Sequence, residues 1–238
     1  MRNINLLDLF SLLNYDWLKD KESLKKICYY TKTRTNQNKP NALDCFELSW
    51  GMEQPLILKA LADHCKCKRM FEVGTGRGTA CYMVSLSPSI GEIQTVDILR
   101  KDEQRKTAIG YRAVWASNLD IYNKIPIDTK SKIEMLHRSE TAKLKSFDFD
   151  LVFIDGDHSN KNIILEDFEI GKKHSNENTI FVFDDYDPVK FAVKGVVDQI
   201  LNTEKYYSYL VSFRGHLFRG KEKEQNSGMV ILSKKELF

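Results

Sequence analysis

The chain has 238 residues, 42% of them hydrophobic, and 36 Lys and Arg against 33 Asp and Glu give it a formal charge of +3. This composition excludes intrinsic disorder and fibrous repeats, and it suits a soluble globular chain with a full core. The weak charge argues against a nucleic-acid partner, and no apolar run reaches the roughly 18 to 20 residues of a membrane span. The five cysteines are an odd number, which favours a reducing cytoplasm over a disulfide framework.

The first 50 residues are predicted to form a helical N-terminal extension, followed by a second unit over residues 51–238. Apolar residues recur at helical spacing from Leu6 to Leu13. Asp8 lies inside this run and no small-residue cleavage site follows, so we interpret it as an amphipathic helix and not as a signal peptide. Its apolar face could pack on the rest of the chain or on a second copy, which would make a homo-oligomer.

From Pro55 onwards, strand and helix patterns alternate. Helices are predicted over residues 56–64, 79–87, 163–173 and 189–201, and strands over residues 70–73, 93–98, 133–136, 151–154, 180–183, 209–213 and 229–232. This alternation predicts an α/β fold, a Rossmann-like doubly wound, seven-stranded and mostly parallel sheet. The last two strands have no helix between them and should pair as an antiparallel C-terminal hairpin. Residues 99–132 are predicted to hold a helix and a loop that covers the substrate.

A glycine-rich turn follows the first of these strands, with the sequence Glu72-Val73-Gly74-Thr75-Gly76-Arg77-Gly78. Alternate glycines let the backbone turn sharply and approach a ligand at a helix N-terminus, where free N–H groups favour polar or anionic groups. A dinucleotide fingerprint would need a glycine at the position of Thr79, and no Gly-Lys-Ser/Thr of a P-loop follows.

The acid two residues before these glycines makes the turn resemble motif I of the class I S-adenosylmethionine-dependent methyltransferases. The resemblance implies that the cofactor S-adenosylmethionine is bound by Glu72, Gly74, Thr75, Gly76 and Gly78.

The next strands add three predicted cofactor residues. Asp97 and Ile98 end the second strand, where a carboxylate can accept hydrogen bonds from both ribose hydroxyls, although Asp97 could instead cap the next helix. In the resembling family a polar residue after the third strand contacts the adenine. Ser139, within Arg138-Ser139-Glu140, stands at that position.

Two acidic runs end neighbouring apolar strands, Asp155-Gly156-Asp157-His158 and Asp184-Asp185-Tyr186. Adjacent parallel strands bring their carboxyl ends to one edge of a sheet. Carboxylates gathered there repel one another unless a cation is present, and oxygen ligands suit Mg²⁺ or another hard divalent ion. The alternative is that these acids are solvent-exposed helix caps.

The run from Phe149 to Ser159, with an Asp-Asp-Tyr about 30 residues later, resembles the cation-dependent sugar and small-molecule O-methyltransferases. These include the macrolide deoxysugar O-methyltransferases and the group of cephalosporin hydroxylase, and the resemblance covers about residues 50–200. The Pro-Gly-Gly turn of that family is replaced here by residues 175–178. The resemblance implies that the cation is held by Asp155, Asp184 and Asp185, that Asp155 also borders the cofactor, and that the general base is His158 or Asp157.

The function predicted from these motifs is cation-assisted O-methylation of a small hydroxylated molecule, with a sugar or glycosylated metabolite as the first expectation. A hydroxyl is a poor nucleophile at neutral pH, so metal coordination lowers its pKa and a base removes its proton as the oxygen attacks the methyl group. Three alternatives stay open: a methyltransferase acting on RNA or protein, a non-catalytic S-adenosylmethionine-binding protein, and other chemistry on the same fold.

Overall fold

The structure is a computed structural model that describes residues 1–31, 48, 52–98, 105–109, 112–116, 125–145, 148–187, 189–212, 217–218 and 228–238. The strands are β1 (Arg2–Asn5), β2 (Arg69–Val73), β3 (Glu92–Asp97), β4 (Arg105–Ile109), β5 (Arg112–Ala116), β6 (Ile133–His137), β7 (Leu151–Ile154), β8 (Ile180–Tyr186), β9 (Tyr207–Ser212) and β10 (Gly228–Ser233). The helices are α1 (Leu6–Leu12), α2 (Trp17–Thr31), α3 (Gln54–Cys65), α4 (Thr79–Ser85), α5 (Ile127–Lys130), α6 (Lys161–Lys173) and α7 (Val193–Thr203), with a 3₁₀ helix over Arg138–Lys143.

Eight strands form one mixed sheet in the order β1-β9-β10-β8-β7-β2-β3-β6. All neighbours run parallel except β10, which is antiparallel to both β8 and β9. The chain leaves β2 toward β3 on one side, and β7 lies on its other side. A switch of direction of this kind opens a crevice at the carboxyl ends of the strands.

All seven predicted strands are present, and the predicted C-terminal hairpin is confirmed by the pairing of β9 with β10. The eighth strand, β1, pairs in parallel with β9, with Arg2 opposite Tyr209. Four residues with a single buried side chain, Ile4, carry too short an alternation to be recognised as a strand. The N-terminal segment therefore contains a strand as well as helices.

The apolar strands are buried on both faces because helices cover both sides of the sheet. In β7, Leu151 and Phe153 pack on the side of α3 and α4, whereas Val152 and Ile154 pack on the side of α6 and α7. This burial explains why β7 has four apolar residues in succession and no alternation with polar ones.

The N-terminal segment packs onto this core. Leu6, Leu9 and Phe10 of α1 are buried in the same cluster as α3 and α4, so the apolar face of the predicted amphipathic helix is covered by this chain itself. The proposed boundary between residues 50 and 51 lies outside the described residues, and the division into two units stays a prediction. No helix in the described ranges is long and apolar enough to cross a membrane.

Two predicted segments differ from the structure. Residues 105–109 and 112–116 form the antiparallel pair β4-β5, where a helix and a loop were predicted. The helix predicted from Val189 begins at Val193, because Asp187 accepts hydrogen bonds from the N–H groups of Val189 and Lys190 at 2.8 and 2.9 Å and forms a turn there.

Candidate functional site

The glycine turn brings β2 into close contact with the end of β7. Gly74 has a φ of +93°, and a Cβ at this position would lie 2.0 Å from the carbonyl oxygen of Asp155. Gly78, also at positive φ, is the N-cap of α4. The motif therefore uses glycine where a side chain would separate the two strands that border the crevice.

A network of buried polar side chains holds the glycine turn in place. The Thr95 hydroxyl donates to Glu72 at 2.5 Å and lies 2.7 Å from the Thr75 hydroxyl, and the Cys81 thiol donates to Glu72 at 2.7 Å. Burial is the main cause that raises the pKa of Glu72 to about 8. Glu72 and Thr75, both predicted to bind the cofactor, are thus buried and hold the turn in place.

A cavity of about 440 Å³ lies at the carboxyl ends of β2, β3 and β7. Six residues of the predicted site line it, namely Gly74, Gly76, Asp97, Ile98, Asp155 and Asp157. Asp97 accepts a hydrogen bond from the N–H of Gly76 at 3.0 Å, which ties the acid to the glycine turn. Ile98 is 71% exposed although it is apolar, so it offers a hydrophobic wall to a ligand.

Ser139 is not brought to this cavity. Its side chain is exposed, and its hydroxyl lies 2.7 Å from Nδ1 of His137. The preceding residue, Arg138, lines the cavity instead. The loop that holds Ser139 therefore borders the cavity, but the side chain that lines it is the neighbouring one.

The two acids of β8 are placed by a β-bulge. Phe183 lies opposite Val230 and Tyr186 opposite Gly228, so Asp184 and Asp185 together face one residue of β10. Asp185 has a φ of +50°, which is rare for any residue other than glycine and better tolerated by Asp than by most. In a regular strand the side chains of successive residues point to opposite faces of the sheet. The bulge changes the direction in which the side chains of Asp184 and Asp185 point.

The acids of β7 and β8 meet around His158. Its Nε2 lies 3.1 Å from Oδ1 of Asp155 and 3.6 Å from Oδ2 of Asp185. The amide of Gln54 donates to Oδ2 of Asp184 at 2.5 Å and to Oδ2 of Asp155 at 3.4 Å. Gln54 is the first residue of α3 and lies far from both acids in the sequence.

Like charge and burial perturb the titration of this cluster. Burial first, and then the charges of Asp155 and Asp185, raise the pKa of Asp184 well above its usual range. Burial is also the main cause that raises the pKa of Asp155. Burial lowers the pKa of His158, but the hydrogen bond and charge of Asp155, with the other two acids, outweigh it and raise the pKa to about 9.

Asp157, the other predicted base, is exposed and bonded locally. Its Oδ1 accepts hydrogen bonds from the N–H and the hydroxyl of Ser159, at 2.9 and 2.6 Å, and these bonds lower its pKa. Of the two candidates, only His158 contacts the acids of both strands.

Two observations bear on a cation. In the part of the chain that the structure describes, no three His, Cys, Asp or Glu side chains are arranged as they would be around an ion. Oδ1 of Asp184, however, is buried and has no hydrogen-bond partner among these residues. The donor set consists of carboxylate oxygens, which fit a hard divalent ion.

The comparisons with known proteins agree with this arrangement. Residues 71–186 match the protein family described as a methyltransferase domain. The O-methyltransferase TomG from Streptomyces achromogenes, solved in complex with SAM, is 18% identical, with a TM-score of 0.57 and 89% of each chain covered. The O-methyltransferase from Bacillus cereus, solved with SAH, is 14% identical, with a TM-score of 0.57 and coverage of 89% of this chain and 90% of that one. No curated protein matches the chain.

Proposed function

We propose that the chain, whose residues 71–186 match a methyltransferase domain, is an S-adenosylmethionine-dependent methyltransferase that methylates a hydroxyl group of a small molecule. The resemblance to methyltransferases that the glycine turn indicated is confirmed by the match of residues 71–186 to a methyltransferase domain. The observation that carries the proposal is the position of Asp155, which both lines the cavity and contacts His158. One residue thus joins the donor cavity to a proton-accepting group.

The cavity supplies the donor site. Its glycine turn would let the polar end of S-adenosylmethionine come close to the backbone, and Asp97, which lines the cavity at the end of β3, would accept hydrogen bonds from the ribose hydroxyls. Ile98 would cover an apolar face of the ligand. Gly74, Gly76 and Gly78 give the turn its backbone shape, and the buried side chains of Glu72 and Thr75 hold it in place.

His158 is proposed as the general base. As the acceptor oxygen forms its bond to the methyl carbon, the hydroxyl proton passes to the imidazole, and the electrons of the breaking carbon–sulfur bond stay on sulfur to give a neutral thioether. The imidazole must be neutral for this step, although the surrounding acids raise its pKa to about 9. Asp155 orients the imidazole through the 3.1 Å contact. We prefer His158 to Asp157 because the N–H and hydroxyl of Ser159 both donate to Oδ1 of Asp157 and lower the pKa of that carboxyl, which makes it a weaker base.

The residues proposed to hold Mg²⁺ or another divalent cation are Asp155, Asp184 and Asp185. Two observations support this proposal: Oδ1 of Asp184 is buried with no hydrogen-bond partner among the described residues, and the three acids repel one another. When bound, such an ion would offset the negative charge of the three acids and so lower the pKa of His158, and it would also lower the pKa of an acceptor hydroxyl. The bulge at Asp185 gives a further reason, since backbone strain of this kind persists where the surrounding structure requires it.

The acceptor class is proposed from the chemistry of the site. A base beside a cluster of acids suits a neutral hydroxyl that must lose a proton, and a sugar or glycosylated metabolite is the first candidate. The similar structures are themselves described as O-methyltransferases, which favours a hydroxyl as the acceptor.

The test is a calorimetric titration of the purified protein with S-adenosylmethionine and S-adenosylhomocysteine, each with Mg²⁺ and with EDTA. We expect micromolar binding of both, followed by transfer of a labelled methyl group to members of a panel of sugars and phenols. Absence of binding under every condition would overturn the donor site. Binding without transfer to any hydroxyl would overturn the proposed acceptor class.

The cation is tested separately with Asp184→Asn. This variant should keep its affinity for S-adenosylhomocysteine but lose any Mg²⁺-dependent rise in melting temperature, because it loses a carboxylate ligand. Asp187→Asn is the matched control: it lies on the same strand end and already caps backbone N–H groups, a task that an amide oxygen also performs. If wild type and both variants respond equally to Mg²⁺, these acids do not hold the ion.

A further inference from the structure

The acids at the ends of β7 and β8 share a neutral partner, Gln54, to which the proposed reaction gives no role. Its amide nitrogen lies 2.5 Å from Oδ2 of Asp184 and 3.4 Å from Oδ2 of Asp155. These are two of the three acids proposed to hold the cation. One side chain of α3 thus contacts both strands whose ends would bind the ion.

Gln54 is held in this position by a rigid part of the fold. It is the first residue of α3, and the eight residues that follow it, 55–62, are all buried. The residue before it, Glu53, is completely buried, and its Oε1 accepts hydrogen bonds from the N–H groups of Leu217 and Phe218, both at 3.4 Å. Because the backbone is fixed on both sides of Gln54, the fold itself keeps the amide beside the acids.

The two distances from the amide suit neighbouring ligands of one ion. Oxygen ligands that lie roughly 2.1 Å from Mg²⁺ at right angles to each other are about 3 Å apart. The amide nitrogen lies 2.5 and 3.4 Å from the two carboxylate oxygens, on either side of that separation. A small shift of the side chain would place the end of the amide in one coordination shell with Asp155 and Asp184.

The amide of Gln54 can serve the acids with or without an ion. Its nitrogen faces them in the structure, because an amide N–H donates to a carboxylate and an amide oxygen cannot. Rotation about the last side-chain torsion exchanges the nitrogen and the oxygen, which have nearly the same size. The carbonyl oxygen of Gln is an ordinary ligand of hard divalent ions, and it adds no negative charge to the cluster.

The acid that Gln54 contacts most closely keeps one oxygen unused. Asp184 is 9% exposed, and its Oδ1 makes no hydrogen bond within the described residues, although its Oδ2 is bound by Gln54. Buried oxygens of this kind normally have a partner. The amide therefore satisfies only half of this buried carboxylate, and an ion would supply the rest.

We propose that Gln54 is a further ligand of the cation, which it binds through Oε1 after its amide turns over. The proposal rests on the cation of the proposed function, and it needs neither S-adenosylmethionine nor an identified acceptor. It makes α3 a third element, beside β7 and β8, that determines how tightly the ion is held.

The first test measures the Mg²⁺ affinity of variants by calorimetry. Gln54→Met has a side chain of nearly the same length but offers the ion no oxygen, so it should bind Mg²⁺ about tenfold more weakly than wild type, as is typical when a residue that supports a metal site is lost. Gln54→Glu keeps an oxygen and adds a charge, so it should bind at least as tightly as wild type. Gln199→Met, the same change at an exposed position of α7, should stay within twofold of wild type.

Two results of this titration would overturn the proposal. Unchanged or tighter binding by Gln54→Met would mean that the amide only fills the space between the acids. Binding by Gln54→Glu as weak as that by Gln54→Met would mean that no oxygen at this position reaches the ion.

The second test uses the wild-type protein and so does not depend on how the variants fold. Mn²⁺ replaces Mg²⁺, since both ions suit oxygen ligands, and the glutamines carry ¹³C at the side-chain carbonyl. Electron–nuclear double resonance should then detect a ¹³C nucleus one bond from a ligating oxygen, and the signal should persist in Gln199→Met. A spectrum of bound Mn²⁺ without this coupling overturns the proposal.

The outcomes separate this proposal from the proposed function. A wild-type protein that binds neither Mg²⁺ nor Mn²⁺ overturns the cation site and the role of Gln54 together. Binding of Mn²⁺ that Asp184→Asn abolishes, without the ¹³C coupling, supports the cation site and overturns the role of Gln54 alone.

Discussion

Gly74→Ala adds one methyl group at the contact between the glycine turn and the end of β7. The new Cβ would lie 2.0 Å from the carbonyl oxygen of Asp155 and 2.6 Å from its carbonyl carbon, and such contacts are essentially never closer than 3.0 Å. Because both atoms belong to backbone, no side chain can rotate away. The turn and β7 must separate by roughly 1 Å or more in a close-packed part of the sheet.

The cost has two parts. A left-handed backbone costs a residue with a Cβ about 1 to 2 kcal/mol, and overpacking costs about 1 to 3 kcal/mol. We therefore expect the free energy of unfolding of Gly74→Ala to fall by about 2 to 5 kcal/mol. Affinity for S-adenosylhomocysteine should also fall, because the shift moves the cavity wall to which Gly74 and Asp155 belong.

The assay is urea unfolding followed by circular dichroism, with calorimetric titration of S-adenosylhomocysteine. Gly195→Ala is the matched control: Gly195 lies in α7, and no atom of the described residues beyond its own helix backbone and chain neighbours lies within 4 Å of its Cβ position. Alanine there should stabilise the chain by roughly 0.5 to 1 kcal/mol through its higher helix propensity. A Gly74→Ala protein as stable as wild type, with unchanged affinity, would refute the steric argument.

Two further predictions concern buried charges. Lys59→Ala should lower the free energy of unfolding by about 3 kcal/mol in urea denaturation. The side chain of Lys59 is only 8% exposed and pairs with Asp20 at 3.0 Å and Asp63 at 2.7 Å, so both acids would lose their cationic partner. Lys19→Ala, which removes a surface ion pair, should cost less than about 1 kcal/mol, and equal losses in the two variants would contradict this reasoning. Burial raises the pKa of Glu72 from 4.5 to about 8. Between these two pH values the unfolded chain has released the Glu72 proton and the folded chain keeps it. The free energy of unfolding therefore falls as pH rises, by up to about 1.4 kcal/mol for each pH unit. Glu72→Gln should flatten that slope in urea denaturation near pH 5 and pH 7 with EDTA, and an unchanged slope would show that Glu72 titrates normally.

The glycine turn and the acidic strand ends could be predicted from the sequence because their signals are local. Gly74 stands directly after an apolar strand, and Asp155 and Asp184 follow runs of buried residues within a few positions. The four successive apolar residues of β7 indicate that this strand is buried between two helical layers. The order of these elements along the chain was enough to place the acids at one edge of a parallel sheet.

The remaining features depend on contacts between residues far apart in the chain. β1 is a strand because β9 lies beside it, and Gln54 reaches Asp184 across 130 residues of sequence. The spacing that identified Ser139 specified a loop but not which of two neighbouring side chains faces the cavity. The motifs, the apolar patterns and the succession of strands and helices along the chain are properties that a sequence carries by itself, because they follow from residues close together. Side-chain direction, the bulge at Asp185 and the environment that shifts each pKa arise only when distant segments pack, so the tertiary structure alone decided them.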